Sequence, residues 1–428
     1  MAGGLNAWIA KPWNRPRPVG ALPGGLRVGG LAGWIPRALV MFGALATLGV
    51  DGDGVPGGDP GADGTYGTDG TGQANEMAMG IAESEARPIS LSLWDTSSTL
   101  RSWAGFRDNP QLSSVTPVGS AFLAAGGEIL VFRLPVDGWE VAIFGLLEHL
   151  EYLEPGVAPE TTAVVDARVD RKWGDGWFWG AGLDYFFLKQ VFDASELAGV
   201  RVIIPTVGHT LTFRPRLGRE FSKTWRWELE PELSRQWLGE PLDSFLDAGA
   251  RVQLIRRWGT RSEAGISYRF RDRAFDNRPP RNPDGDVLPG KLEYLQNEWE
   301  AVWKATWDGR SRWRTQVRGG YLRSDDLEGG YFDFERFHLF GQIRYSAAAW
   351  EVRAEARARW YHYPSQPSSE PDGSSRRRLD LTFLVRGEWK MSRRWRVFVQ
   401  YEDEMSDENT TAADYRAAGI SGGVEFEM

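Results

Sequence analysis

Residues 350–363 read WEVRAEARARWYHY, and the way this stretch is wound decides the fold. Trp350, Val352, Ala354, Ala356, Ala358, Trp360 and His362 share one parity, while Glu351, Arg353, Glu355, Arg357, Arg359 and Tyr361 share the other. Ala, Glu and Arg favour helix by intrinsic propensity. Period argues the opposite. Wound at 3.6 residues per turn, the charges spread round the whole cylinder; at two they separate cleanly from an aliphatic face that begins with Trp350 and nears its end at Trp360. One charged face, one small apolar face and aromatic ends suit a wall between water and lipid, the pattern of a transmembrane β-barrel strand.

The same template runs through the rest of the chain. Strands are predicted over 100–107, 120–133, 139–152, 161–173, 177–188, 209–221, 225–237, 245–258, 261–275, 292–307, 313–323, 332–345, 350–363, 379–390, 395–403 and 415–428. Long and short links alternate between them. The short ones are turn-forming, as in Gly174-Asp175-Gly176 and Asp308-Gly309-Arg310-Ser311. The fold expected is all-β: a transmembrane, antiparallel, up-and-down β-barrel of about sixteen strands, with long loops at one end and tight turns at the other. Trp gathers at the turns, in Trp173/Trp177, Trp225, Trp258, Trp307/Trp313, Trp350 and Trp389/Trp395. Indole rings prefer the headgroup layer, so these predict an aromatic girdle on the turn side, the periplasmic side of such barrels. A soluble sandwich or propeller requires neither the alternation of links nor outward Trp at every turn.

Composition is consistent with this. The 428 residues carry a formal net charge of −8, 13% aromatic residues, 21 Trp, 51 Gly and no Cys. Mean hydropathy is only −0.40, as expected of strands that are apolar at alternate positions. After Val50 no apolar run approaches the roughly 18–20 residues of a membrane helix. Absent Cys removes disulfides, thiolate metal sites and Cys nucleophiles. An acidic chain without a basic block argues against nucleic acid as a partner.

Residues 1–50 are expected to be a targeting segment. Arg37 precedes the apolar run 38–50, the length of a secretory h-region, behind a Pro/Gly-rich stretch with Lys11, Arg15, Arg17 and Arg27. A disordered tail is the alternative. Ala44-Leu45-Ala46 and Gln73-Ala74 both offer cleavage patterns. Residues 51–87, rich in Gly and Asp in their first half, are expected to be a flexible linker, leaving 88–428 as the barrel.

Two resemblances bear on this assignment. The C-terminus, Ser421-Gly422-Gly423-Val424-Glu425-Phe426-Glu427-Met428, resembles the signal read by the outer-membrane barrel-assembly machinery, with Phe426 in its aromatic slot and Met428 where the signal usually closes on Phe or Trp. That resemblance implies the machinery as a partner and the bacterial outer membrane, with its lipid, as the location. Gly105-Phe106-Arg107-Asp108-Asn109-Pro110-Gln111-Leu112-Ser113 is similar to the Gly-aromatic-x-Asp-Asn opening of a loose group of outer-membrane β-barrels, some linked to exopolysaccharide operons. It implies location and architecture, with polysaccharide export only as a hint. From the residues alone, Asp108-Asn109 is a turn in preference to a cation site.

On the parity opposite the lipid face, basic and acidic residues occur in about equal number. The pore-lining candidates are Arg251, Arg269, Arg314, Arg318, Arg344, Arg353 and Arg357, facing Glu228, Glu230, Glu263, Glu351 and Glu355; Arg271, Arg386, Arg396, Glu232, Glu298, Glu300, Glu388 and Glu402 share that parity. Barrels of 16–18 strands leave room for an aqueous channel, and an arginine ladder opposite carboxylates selects solutes by charge and size. Plain solvation of the wall, or pairing across strands, is the competing reading. Catalysis finds little support. None of His149, His209, His338 and His362 is followed two residues later by Ser, the arrangement of outer-membrane lipid deacylases, and no metal-ligand spacing, Gly-x-Ser-x-Gly elbow or phosphate-binding Gly loop occurs. His338 shares the inner parity and is expected to be a neutral wall residue. A non-enzymatic barrel without cofactor or metal is therefore expected, although a site assembled across strands escapes such spacings. The function expected is a porin-like channel for small hydrophilic solutes. The alternatives are an export conduit for an exopolysaccharide and a barrel anchor for a surface adhesin or scaffold; the apparent lack of an inward aromatic run weighs against conduction of sugars.

Overall fold

The computed structural model describes residues 93–135, 138–193, 203–259, 261–369, 373–410 and 414–428. The targeting and linker segments at 1–87 lie outside them. Sixteen strands follow in chain order: β1 (Trp94–Arg107), β2 (Ser120–Arg133), β3 (Trp139–Tyr152), β4 (Glu160–Trp173), β5 (Trp177–Asp193), β6 (Ile203–Glu220), β7 (Trp225–Leu238), β8 (Phe245–Trp258), β9 (Ser262–Phe275), β10 (Glu293–Thr306), β11 (Trp313–Asp326), β12 (Phe334–Ser346), β13 (Trp350–Pro367), β14 (Ser375–Lys390), β15 (Trp395–Glu408) and β16 (Tyr415–Glu427). Each pairs antiparallel with its chain neighbours, and β1 pairs with β16 to close the barrel. Closure leaves no sheet edge, the condition for placing strands in a bilayer.

Period 2 then divides every strand between two environments. Leu100, Leu123, Leu147, Leu183, Ile266, Leu339, Val399 and Ile420 are all exposed and all on the outward parity, beside inward neighbours that are polar or packed. At the turn side Trp173, Trp258, Trp307, Trp350, Trp389 and Trp395 are exposed on that same outer surface. Neighbouring rings of the girdle touch: Trp173 stacks on Trp177 with centroids 6.1 Å apart, Trp177 meets Trp227 edge-on at 6.0 Å, and in a second group Trp313, Tyr345 and Trp350 follow one another at 4.6 and 4.8 Å. Arg256 lies over both Trp225 and Trp258, at 5.3 and 5.0 Å, so cation–π contact adds to the girdle.

At the β1–β16 seam, nine residue pairs run from Thr99↔Glu427 to Arg107↔Gly419. Gly423 is opposite Trp103, and a Cβ there would meet the Ser102 carbonyl and the Trp103 Cβ; only glycine lets the inward indole pack against the last strand. The Met428 N–H donates to Ser98 O at 2.9 Å, tying the end of the chain to β1. Asp108 and Asn109 fasten the other end of the seam. The Asn109 amide, nearly fully buried, donates to Ser113 O and Arg416 O at 2.9 Å, and Asp108 Oδ1 accepts from the Ala418 N–H at 2.6 Å. Their role in the fold is that of a loop anchor.

Candidate functional site

The inner wall is built by register. Arg314 (β11), Arg344 (β12), Arg353 (β13) and Arg386 (β14) stand directly opposite one another in succession and form a continuous guanidinium row across four strands. Like charges so placed repel, and the next residues along the same face are carboxylates that offset this. Arg344 reaches Glu351 at 2.6 Å, Arg386 reaches Glu388 at 2.7 Å and Glu425 at 2.6 Å, and the Arg353 Nε lies 3.5 Å from Glu355, which also accepts from Gln342 at 2.6 Å. On the adjoining arc Glu230, Arg251, Arg269 and Glu298 make a second row over β7–β10, with Glu300 shared between Arg251 at 3.5 Å and Arg318 at 3.6 Å. Glu228 pairs with Arg226 at 2.9 Å, and Glu263 with Arg257 and Lys304 at 3.4 and 3.7 Å. Arg357 also points inward, 5.6 Å above the Phe340 ring. All twelve candidates lie on the inward parity. His338 is inward as well, with its Nε2 3.6 Å from Glu300.

The interior is less open than a bare ring of sixteen strands. At the loop side Phe245, Phe275 and Tyr294 turn inward and pack with Leu292 and Phe332 from the loops, all nearly fully buried. Arg278 lies over Phe275 and Phe332 at 5.3 and 4.4 Å, and buried Pro280 completes the packing. Leu322, Phe334, Tyr361 and Tyr363 form a neighbouring cluster beneath Arg376 and Arg378, which hold Glu408 and Asp193 at 2.6 and 2.9 Å. The expectation of no inward aromatic run is therefore corrected. The run exists near the loop ends of β8–β13, where Pro-rich loop residues mask the alternation, and it is covered by packing partners.

A cavity of about 300 Å³ is open against β1–β5 and β13–β16. Arg353 is the one sequence candidate that lines it, beside Arg386 and Glu402. Parity alone missed Arg101, Arg107, Glu148 and Glu160, because it shows which residues face inward and not which of them meet across neighbouring strands. Arg107 of β1 reaches Tyr152 of β3 at 3.0 Å, Glu160 of β4 at 3.1 Å and Glu402 of β15 at 3.3 Å, bridging the seam; Arg101 pairs with Glu148 below it. Trp103, Phe122 and Phe398 form the cavity's apolar side. An available signal was the inward series Arg101, Trp103, Gly105, Arg107, which continues the charge and aromatic pattern of the other strands.

A closed antiparallel barrel with an apolar outer surface, an indole girdle and its charge inside is matched to a bilayer. The chain is a membrane β-barrel of the bacterial outer-membrane kind. No family model matches the chain, and no curated protein matches it. Among solved structures, OprD from Pseudomonas aeruginosa is 7% identical, with 78% of this chain and 94% of that one covered and a TM-score of 0.42. OccAB4 of Acinetobacter baumannii is 9% identical, covering 80% and 100%, also with a TM-score of 0.42. OmpT, an outer membrane protein of Vibrio cholerae, is 10% identical, covering 78% and 97%, with a TM-score of 0.38. This likeness is one of barrel fold alone.

Proposed function

We propose that the barrel is a channel for small charged hydrophilic solutes, with the cavity beside β1 and β14 as its selective chamber. The observation that carries this is the continuous row Arg314, Arg344, Arg353 and Arg386, two of whose members line a cavity of about 300 Å³, near the lower end of the volumes that hold small ligands. Glu148, Glu160 and Glu402 also line it, paired with Arg101 and Arg107, and this charged lining sets a field across it. A solute with separated charges is oriented by such a field. Insertion through the barrel-assembly machinery, reading β16, belongs to the same proposal.

Planar-bilayer recording tests it. Stepwise currents with anion preference are expected from the wild type. Replacing both Arg353 and Arg386 with Ala is expected to reduce or reverse that preference while leaving steps intact. A folded barrel that conducts nothing would count against the channel and for an anchoring role.

A further inference from the structure

Three of the four histidines face outward, and one of them completes a constellation that the channel does not use. His362 on β13 is directly opposite Glu335 on β12, and its Nδ1 is 3.9 Å from Glu335 Oε2. Its other nitrogen, Nε2, is 2.9 Å from the hydroxyl of Ser375, the first residue of β14. Register explains the meeting. His362 pairs with Arg377 and Tyr363 with Arg376, so Ser375, two residues before Arg377, is the diagonal neighbour of His362 on the outer face. The order hydroxyl, Nε2, Nδ1, carboxylate is that of a serine nucleophile, its base and the group that orients the base. The Glu335 contact is long by one small side-chain adjustment, as often found before substrate is bound.

The surroundings point to a class of substrate. Arg377 lies on the same face, opposite His362 in the register, and is exposed; it offers a cationic donor for a tetrahedral oxyanion. Ser375 is itself positioned by Asn409, which donates to its carbonyl at 3.0 Å and accepts from the Arg377 N–H at 2.8 Å. Toward the membrane from Glu335, Phe337 and Leu339 follow on the outward parity and are among the exposed large apolar residues. Strands here run 13 to 18 residues, beyond the roughly 9–11 that span hydrocarbon, so these loop-side ends stand at the lipid–water boundary. His362 and Glu335 are 44% and 41% exposed, open to water on one side and adjoining acyl chains on the other.

We propose that Ser375, His362 and Glu335 form an outward-facing esterase site that hydrolyses an acyl ester of an outer-leaflet lipid. The Ser375 hydroxyl oxygen bonds to the ester carbonyl carbon as its proton passes to His362 Nε2. The carbon–alkoxy bond then breaks, and the leaving alcohol takes that proton. Water attacks the acyl-serine and gives its proton to Nε2; the serine oxygen leaves and recovers it, releasing a fatty acid. Ser375 and His362 are the catalytic residues, and Glu335 is a positioning residue. The two other outward histidines lack this set: His209 bonds the Tyr185 hydroxyl at 2.8 Å, and His149 faces the Thr161 hydroxyl at 2.9 Å through Nδ1.

The test uses the full-length barrel extracted in detergent, with folding scored by heat-modifiable migration. A fluorophosphonate probe is expected to label Ser375, and p-nitrophenyl palmitate and vesicles of either a diacyl phospholipid or lipopolysaccharide are supplied as substrates. Ser375→Ala and His362→Asn are expected to lose labelling and about 10²–10⁴-fold in rate. Glu335→Gln is expected to lower kcat and shift its pH profile with KM little changed, with partial rescue by Glu335→Asp. Thr161→Ala should retain full rate, and Ser375→Ala should leave conductance unchanged, separating this site from the channel. Which vesicle releases fatty acid identifies the lipid. Absence of Ser375 labelling on a folded barrel, release that Ser375→Ala does not reduce, or turnover of short soluble esters without either lipid would overturn the proposal.

Discussion

Arg353 and Ala354 are neighbours in one strand and face opposite solvents. Arg353 stands between Arg344 and Arg386 in the inner row, and Ala354 sits outward between Ile343 and Val385. Both are nearly buried, but for different reasons: the guanidinium is enclosed by the inner wall, the methyl by larger apolar neighbours. Removing the Arg353 side chain relieves repulsion from two guanidiniums, while Glu355 keeps its bond from Gln342 at 2.6 Å and is not stranded. Arg353→Ala is therefore expected to cost less than the roughly 3–5 kcal/mol of breaking a buried ion pair, and less than the change on the opposite face of the strand, Ala354→Arg. Ala354→Arg places a charge toward hydrocarbon and should cost roughly 2–4 kcal/mol, less if it snorkels. Unfolding free energies in lipid vesicles decide the order. A larger loss from Arg353→Ala would mean that the parity assigned to β13 is reversed.

The strands show where alternation carries information and where it stops. β2, β3 and β8 match their sequence-derived bounds at both ends, and on the turn side every other strand agrees within two residues except β1, which begins at Trp94 instead of Leu100. Several loop-side ends run further than predicted. β5 continues beyond Leu188 to Asp193, β6 begins at Ile203, and β13 passes Pro364 to reach Pro367. Proline reads as a terminator because it lacks an N–H, yet on a hairpin extension with a register slip its missing donor is tolerated. Parity likewise revealed which charges face inward but not which ones meet, since Arg107 and Glu402 are brought together only by closure. The esterase constellation escaped sequence spacing for the same reason, being spread over three strands. The seam itself is testable. Gly423→Leu is expected to destabilise the barrel by about 1–3 kcal/mol through overpacking against Trp103, seen as loss of heat-modifiable migration at lower temperature. Gly387→Ala is the control, with no atom within 4 Å of the added carbon, and should be neutral or slightly stabilising.

The molecule is polar along its axis, and that asymmetry predicts its orientation. An even number of strands places both ends of the barrel at the turn side, where links are tight and the indole girdle is dense. The loop side carries the longer connections and the Arg278, Pro280 and Phe332 packing. In bacterial barrels long loops face outward and short turns face the periplasm, which also puts the Ser375 site at the cell surface. Because the chain has no Cys, single cysteines report topology without background. Ser369 follows the loop end of β13 and Asp175 lies in the β4–β5 turn, and both are exposed. A membrane-impermeant maleimide added to intact cells is expected to label Ser369→Cys, and to label Asp175→Cys only after the outer membrane is permeabilised. The reverse pattern would invert the orientation and place the proposed ester site against the inner leaflet, where its substrate would have to be sought instead. Labelling of both positions in intact cells would mean that the barrel is not inserted across the membrane.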